Sequence, residues 1–257
     1  MLSPRRWQIR KGLYELALVS VGLLIYFLIR GAVVDEVHEA TEHALEIVHF
    51  ERWAGFFWEP HLQHLLGSSL FQAQFWDVIY FWGHVPVIIA VAVWLYRWHR
   101  PRYTLIRNAF LVSAVIGLFI YWVYPVAPPR LLSGYGFVDT MQRYSHLSYQ
   151  AGSLKPFVNP YAAVPSLHFG WSLLIGVGLA LSLRSPLGWL LGALLPTLML
   201  LAVIITANHF IFDVVAGLAV CLIGLLAAAA FEWWQGSRTE PTPAAPAYEE
   251  RPEPARV

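Results

Sequence analysis

Long apolar runs separated by short polar stretches set the pattern of this chain, at residues 14–34, 75–96, 105–124, 161–183, 187–206 and 210–234. Each run is close to the roughly 20 residues that a helix needs to cross a hydrocarbon core about 30 Å thick. The pattern therefore predicts an all-α, polytopic membrane bundle of six spans, forming one domain over residues 14–234. The first run follows Arg5, Arg6, Arg10 and Lys11, as a signal peptide would, but it is too long and lacks a small-residue cleavage site, so it reads as the first span. Pro196 falls inside the fifth run, where a membrane helix tolerates it and a kink is expected.

Between the runs, residues 35–74 carry Asp35, Glu36, Glu39, Glu42, Glu46, Glu51 and Glu59 against a single Arg52. Val37, Ala40, Ala44, Ile47, Val48 and Trp53 recur there at roughly helical spacing, which predicts an amphipathic helix packed over the bundle. Residues 125–160 form a second long loop on the same side. Residues 235–257, rich in Pro, Ala and Glu, have too little apolar surface to offset ordering entropy and read as a disordered tail.

Positive residues resist translocation. They gather in residues 1–13, at Arg97, Arg100, Arg102 and Arg107, and at Arg184 and Arg238. Those segments are all cytoplasmic if both termini are inside, which puts 35–74 and 125–160 on the extracytoplasmic face of a plasma-membrane protein.

Composition agrees with the pattern: 58% of the 257 residues are hydrophobic and 13% are charged, outside the usage of a soluble domain. A net charge of +1 makes no case for a nucleic-acid partner. The single cysteine, Cys221, lies in an apolar run and excludes an internal disulfide or a thiolate metal cluster.

Ionisable groups at membrane depth are costly and mark function. They concentrate in Pro165-Ser166-Leu167-His168, near the start of span four, and Asn208-His209-Phe210-Ile211-Phe212-Asp213, at the start of span six. His209 and Asp213 are four apart, so on a helix the carboxylate can hold the imidazole in one orientation. Spans four and six run in the same direction, which brings His168 and His209 to one depth. Arg130 follows span three on that face, where its planar fork suits a phosphate. Two histidines, an orienting aspartate and an arginine suit phosphoryl transfer, with one imidazole attacking phosphorus and another protonating the leaving oxygen. No metal or other cofactor is needed, and the His-Glu-x-x-His helix of a zinc enzyme is absent.

Pro165-Ser166-Leu167-His168 resembles the Pro-Ser-Gly-His motif of the type 2 phosphatidic acid phosphatase superfamily, and His209 through Asp213 matches its His-x-x-x-Asp motif. Within it, the stretch Tyr161 to His168, Ala127-Pro128-Pro129-Arg130 and Asn208-His209-Phe210 look like the inositolphosphotransferase branch that contains inositol phosphorylceramide synthases. The resemblance implies that His209 forms a phosphohistidine, Asp213 orients it, His168 releases the leaving alcohol and Ser166 helps hold the phosphate. It implies a lipid phosphate or phospholipid substrate, with phosphatase and phosphotransferase both open. The family's third motif normally has Ser-Arg starting seven residues before its histidine, where this chain has Ala202 and Val203. Its first motif is also missing: Val123 stands seven residues before Arg130, and Leu131 follows it. Arg130 is therefore a substitute phosphate ligand, with Arg143 and Lys155 as further candidates. A serine protease would keep glycine where Leu167 stands, and a lipid transporter or flippase would place its polar groups at the midplane between repeated halves. His84, beside Pro86 in span two, matches no motif and reads as a packing residue.

Overall fold

The computed structural model describes residues 12–22, 24, 37–145 and 159–239. The basic stretch 1–11, the second half of the first predicted span and the tail beyond 239 lie outside them. The helices run α1 (Gly12–Gly22), α2 (Val37–Ala54), α3 (Glu59–Gly67), α4 (Leu70–Trp82), α5 (Val85–Trp98), α6 (Arg100–Val123), α7 (Leu167–Leu183), α8 (Pro186–Ile205) and α9 (Ile211–Thr239). Between α6 and α7 come a 3-10 turn at Pro129–Leu131 and a π turn at Met141–Ser145.

As far as they lie within the described residues, the apolar runs map onto these helices, and the second and fourth runs differ from the expectation. α6, α8 and α9 are each long and apolar enough to span a membrane, whereas the second run is a bent pair, α4 and α5, meeting at 44°. It begins at Leu70, where Ser69 and Gln72 form a capping box: Gln72 N–H donates to Ser69 Oγ at 3.2 Å and Ser69 N–H to Gln72 Oε1 at 3.2 Å. It breaks at Gly83 and His84 because Pro86 has no N–H to continue the ladder. The fourth run becomes helical only at Leu167, which leaves α7 with 17 residues. Val164 precedes a proline and is sterically turned away from helix, so residues 161–166 enter as non-helical chain.

α7 is the central helix, packed against α5, α6, α8 and α9. Large apolar side chains point outward around it, among them Phe71, Phe75, Val115, Phe119, Leu190 and Leu226. An apolar exterior on this scale suits hydrocarbon rather than water, and the chain is an integral membrane protein. Arg107 binds Glu15 and ties α1 to α6.

The predicted amphipathic segment is two helices. α2 buries Ala40, Ala44, Ile47 and Val48 against Val126, Ala127, Ala163, Val164 and Phe210, which are the loops at one end of the bundle. Trp53 and Val37 were expected on that face but are 82% and 56% exposed. Gly55, at φ +80, turns the chain into α3.

Close helix approach explains two other glycines. Pro196 offers no N–H to the carbonyl of Gly192 one turn earlier, and Gly176 of α7 packs on that carbonyl: a Cβ at Gly176 would stand 2.2 Å from Gly192 O. α8 continues through Pro196 as one helix. Gly176→Ala should lower stability by about 1–3 kcal/mol through overpacking, read as a fall in melting temperature in detergent. Gly236→Ala, with nothing within 4 Å of the new methyl, should show no such fall.

Candidate active site

Two short connections bring the histidine motifs together. Beyond α6, Val126 and Ala162 form a parallel bridge, in which Val126 N–H donates to Tyr161 O at 2.7 Å and Ala163 N–H to Val126 O at 3.3 Å. The chain then reaches Ser166, fully buried, whose Oγ accepts from Phe169 N–H at 3.5 Å and caps α7. His168 therefore stands in the first turn of α7. Beyond α8, Asn208 and His209 both donate their backbone N–H to Val203 O, at 3.0 and 3.1 Å. Ala207 in that turn has φ +53, a conformation that a non-glycine residue adopts only where its surroundings hold it. Here Arg130 N–H binds its carbonyl at 2.9 Å.

His209 lies just ahead of α9, outside the helix on which the sequence pattern put it. Its relation to Asp213 survives for another reason: Asp213 is at the third helical position and reaches back, as the acid of a capping box does. Asp213 Oδ2 accepts from Phe210 N–H at 2.9 Å and lies 3.2 Å from His209 Nδ1. The same Nδ1 is 2.8 Å from Ala163 O. Two acceptors at one nitrogen fix the proton on Nδ1 and leave Nε2 as the lone-pair nitrogen. α9 can approach α7 this closely because residue 217 is glycine; a Cβ there would meet Ser166 O at 2.3 Å, beside the bond from Ser166 N–H to Asp213 O.

The His168 and His209 rings are 5.8 Å apart. His168 is stacked on Tyr80 at 4.6 Å, and the His84 ring, at the break between α4 and α5, lies 4.5 Å from the His168 ring. Arg130 Nη1 donates to Asn208 Oδ1 at 2.6 Å, next to His209, and its Nε lies 3.5 Å from Asp139 Oδ2. Arg143 is exposed, with its guanidinium 5.3 Å from the Tyr144 ring centre, and no contact joins it to the histidines. Lys155 lies outside the described residues.

Several groups here escaped the sequence reading. Asp77 is buried in α4 and accepts from Thr140 Oγ1 at 2.6 Å and from Ser145, tying the loop after Arg130 to the bundle. Glu51 and Glu59 are also fully buried, each holding a backbone N–H of α9 at 2.8 Å. Burial, then the hydrogen bond and charge of Glu59, pushes the Glu51 carboxyl up to about 10, and burial raises Glu59 as well. Only the flanking apolar periodicity hinted at them, since Glu51 follows Ala40, Ala44, Ile47 and Val48 on the same helical face.

Residues 45–227 match the model of the PAP2 superfamily, well over half of the chain. The chain belongs to the PAP2 superfamily. The match takes in both histidine motifs together with Glu51 and Glu59, and it places the chain with PAP2-type membrane phosphatases and phosphotransferases. It is also similar to the phosphoinositol dihydroceramide synthase of Bacteroides thetaiotaomicron, 26% identical over 160 residues that cover 56% of this chain and 51% of that protein. The chain thus spans about half the length of that relative. No solved structure matches it.

The hydrogen bonds to this PAP2 site make a spectroscopic prediction. In protein labelled with 15N-histidine, the neutral His209 ring should carry its proton on Nδ1 and leave Nε2 bare. A ring protonated at Nε2 alone would contradict the role of Ala163 O as acceptor.

Proposed function

We propose that this chain is a membrane phosphoryl-transfer enzyme that acts on lipid phosphates or phosphodiesters through a phosphohistidine on His209. The observation that carries the reading is the pairing of an imidazole fixed at Nδ1 with a second imidazole 5.8 Å away. That separation lets one phosphoryl group touch both rings, given hydrogen-bond reach of about 2.6–3.2 Å.

In the first step His209 Nε2 attacks phosphorus, the bond from phosphorus to the leaving oxygen breaks, and His168 gives that oxygen its proton. Asp213 and Ala163 O hold Nδ1–H and stabilise the ring as it gains positive charge. In the second step an acceptor hydroxyl attacks phosphorus, the bond from phosphorus to Nε2 breaks with its electron pair returning to His209, and the hydroxyl proton passes to His168, which restores both rings. Arg130, held beside His209 through Asn208, supplies positive charge for the phosphoryl oxygens, and Ser166 fixes the first turn of α7 beneath them.

The name of the Bacteroides relative supports a phosphoinositol group as cargo and a ceramide-like lipid as partner. Assay against lipid phosphates and phosphoinositides, with and without added inositol, separates a phosphatase from a transferase. The site lies at the opposite end of α6 from Arg100, Arg102 and Arg107, which by the positive-inside rule supports an extracytoplasmic site.

Trapping with an activated aryl phosphate tests the roles. His209→Ala should give no phosphoenzyme. His168→Ala should still form it from a good leaving group while losing about 10²- to 10⁴-fold on poor ones. Asp213→Asn should fall between the two. Label retained by His209→Ala, or lost equally in both histidine variants, would overturn the assignment. EDTA should leave the rate unchanged, because nucleophile, acid and cation are all side chains; loss with EDTA and recovery with zinc would point to a metallohydrolase instead.

A further inference from the structure

Glu51 closes α2 and Glu59 opens α3, and the turn between them brings the two carboxyls to one point over the start of α9. Glu59 Oε1 accepts from Ile211 N–H and Glu51 Oε1 from Phe212 N–H, both at 2.8 Å. With Asp213 Oδ2 on Phe210 N–H, three successive amides are bound by three different carboxyl groups. All three side chains are 0% exposed.

Three full negative charges cannot share one dry turn of helix. The amides and the helix dipole offset part of one charge, and among the described residues no lysine or arginine bonds to either glutamate. Arg52, next in sequence, holds its guanidinium over the rings of Phe57 and Tyr135. The charged group acting on both carboxyls is Asp213, with His209 bonded behind it. The second oxygens, Glu51 Oε2 and Glu59 Oε2, are both buried, and as two carboxylates they have no donor among the described residues. The two carboxyls are neighbours, because their first oxygens hold the adjacent amides of Ile211 and Phe212. One proton between them turns two repelling acceptors into a satisfied carboxyl–carboxylate pair.

We propose that Glu51 and Glu59 share one proton and act as positioning residues, an acidic clamp that fixes the start of α9 and, through it, His209 and Asp213. The role in catalysis rests on the phosphoryl-transfer reading of His209. The shared proton also limits the charge beside the nucleophile: a further negative charge next to Asp213 would favour the imidazolium of His209, which cannot attack phosphorus.

The pH dependence has a definite sign. The Glu51 carboxyl loses its proton near its ordinary 4.5 when unfolded and near 10 when folded. Its contribution to stability is therefore complete below the lower value and is lost progressively as pH rises toward the upper one.

The experiment uses the full chain in detergent, as wild type, E51A, E51Q, E59Q and E51Q/E59Q. Two quantities are read: melting temperature against pH, and the single-turnover rate of phosphoenzyme formation from an activated aryl phosphate, well below every melting point. That substrate needs no proton from His168, so an alkaline fall in rate does not report the acid. Either single glutamine keeps an oxygen for the helix amide and supplies an N–H in place of the shared proton. E51Q and E59Q should therefore retain most of the rate, lose the alkaline fall and melt with a shallower dependence on pH. The double variant sets two NH2 groups against each other with no acceptor, and should lose about 10-fold or more in rate, far beyond the two singles combined. E51A should be slow, with E51Q restoring the rate.

The shared proton is overturned if the double variant is merely additive, or if wild type and E51Q melt with the same slope against pH. The positioning role is overturned if E51A melts lower yet forms phosphoenzyme at the wild-type rate. No phosphoenzyme in the wild type would sink the phosphoryl-transfer reading and the positioning role together, while the melting curves still decide the proton.

Discussion

The free amides at the start of α9 are the constraint around which this end of the molecule is arranged. A helix begins with N–H groups that have no partner of its own, and here they open inside protein, where leaving them bare is costly. The chain answers with side chains from three places: Glu51 from α2, Glu59 from α3 and Asp213 from α9 itself. That requirement explains why two helices outside the spanning bundle pack over its end, and why the face of α2 that covers the loops carries a glutamate among alanine, valine and isoleucine. His209 is the residue just before those amides, so whatever fixes them fixes it.

The backbone does the rest of the orienting. His209 Nδ1 faces a carbonyl, Ala163 O, that is in place because the chain after α6 pairs with the chain before α7. Arg130 follows the first of those segments and Ser166 ends the second, and both bond to the segment around His209: Arg130 N–H to Ala207 O, Ser166 N–H to Asp213 O. Three stretches far apart in sequence thus meet through main-chain bonds, which leave side chains free for chemistry.

The spans and the two histidine motifs were legible in the sequence because each depends on local spacing: hydropathy over about 20 residues, and a histidine four residues before an aspartate. What the sequence misplaced depends on hydrogen-bond closure. Residues 161–166 are apolar enough to extend span four, yet 161–163 pair with Val126 and the segment stays outside the helix. His209 has helical spacing to Asp213 while lying outside the helix. Glu51 and Glu59 looked like two more charges in an acidic loop, because a buried carboxyl and a solvated one are the same letter. His84 matched no motif, and its place beside His168 comes from the break that Pro86 imposes on a span that reads as continuous.

The arginine that the family pattern puts at position 203 shows how a site shifts when one group is removed. Val203 is fully buried in an apolar cluster with Met199, Ala202, Ile204 and Ile205, and a guanidinium there would have to lose its hydration without a carboxylate to replace it. Its carbonyl instead receives both Asn208 N–H and His209 N–H. The positive charge near His209 arrives from the opposite side, on Arg130 in the turn after α6, braced by Asp139 and aimed at Asn208. An arginine in that turn hangs on a loop rather than on a spanning helix, so its aim depends on whatever holds the loop. Asp77 does so, through Thr140 and Ser145, from within α4. A buried aspartate in the bent span is thereby part of the support for a cation two segments away.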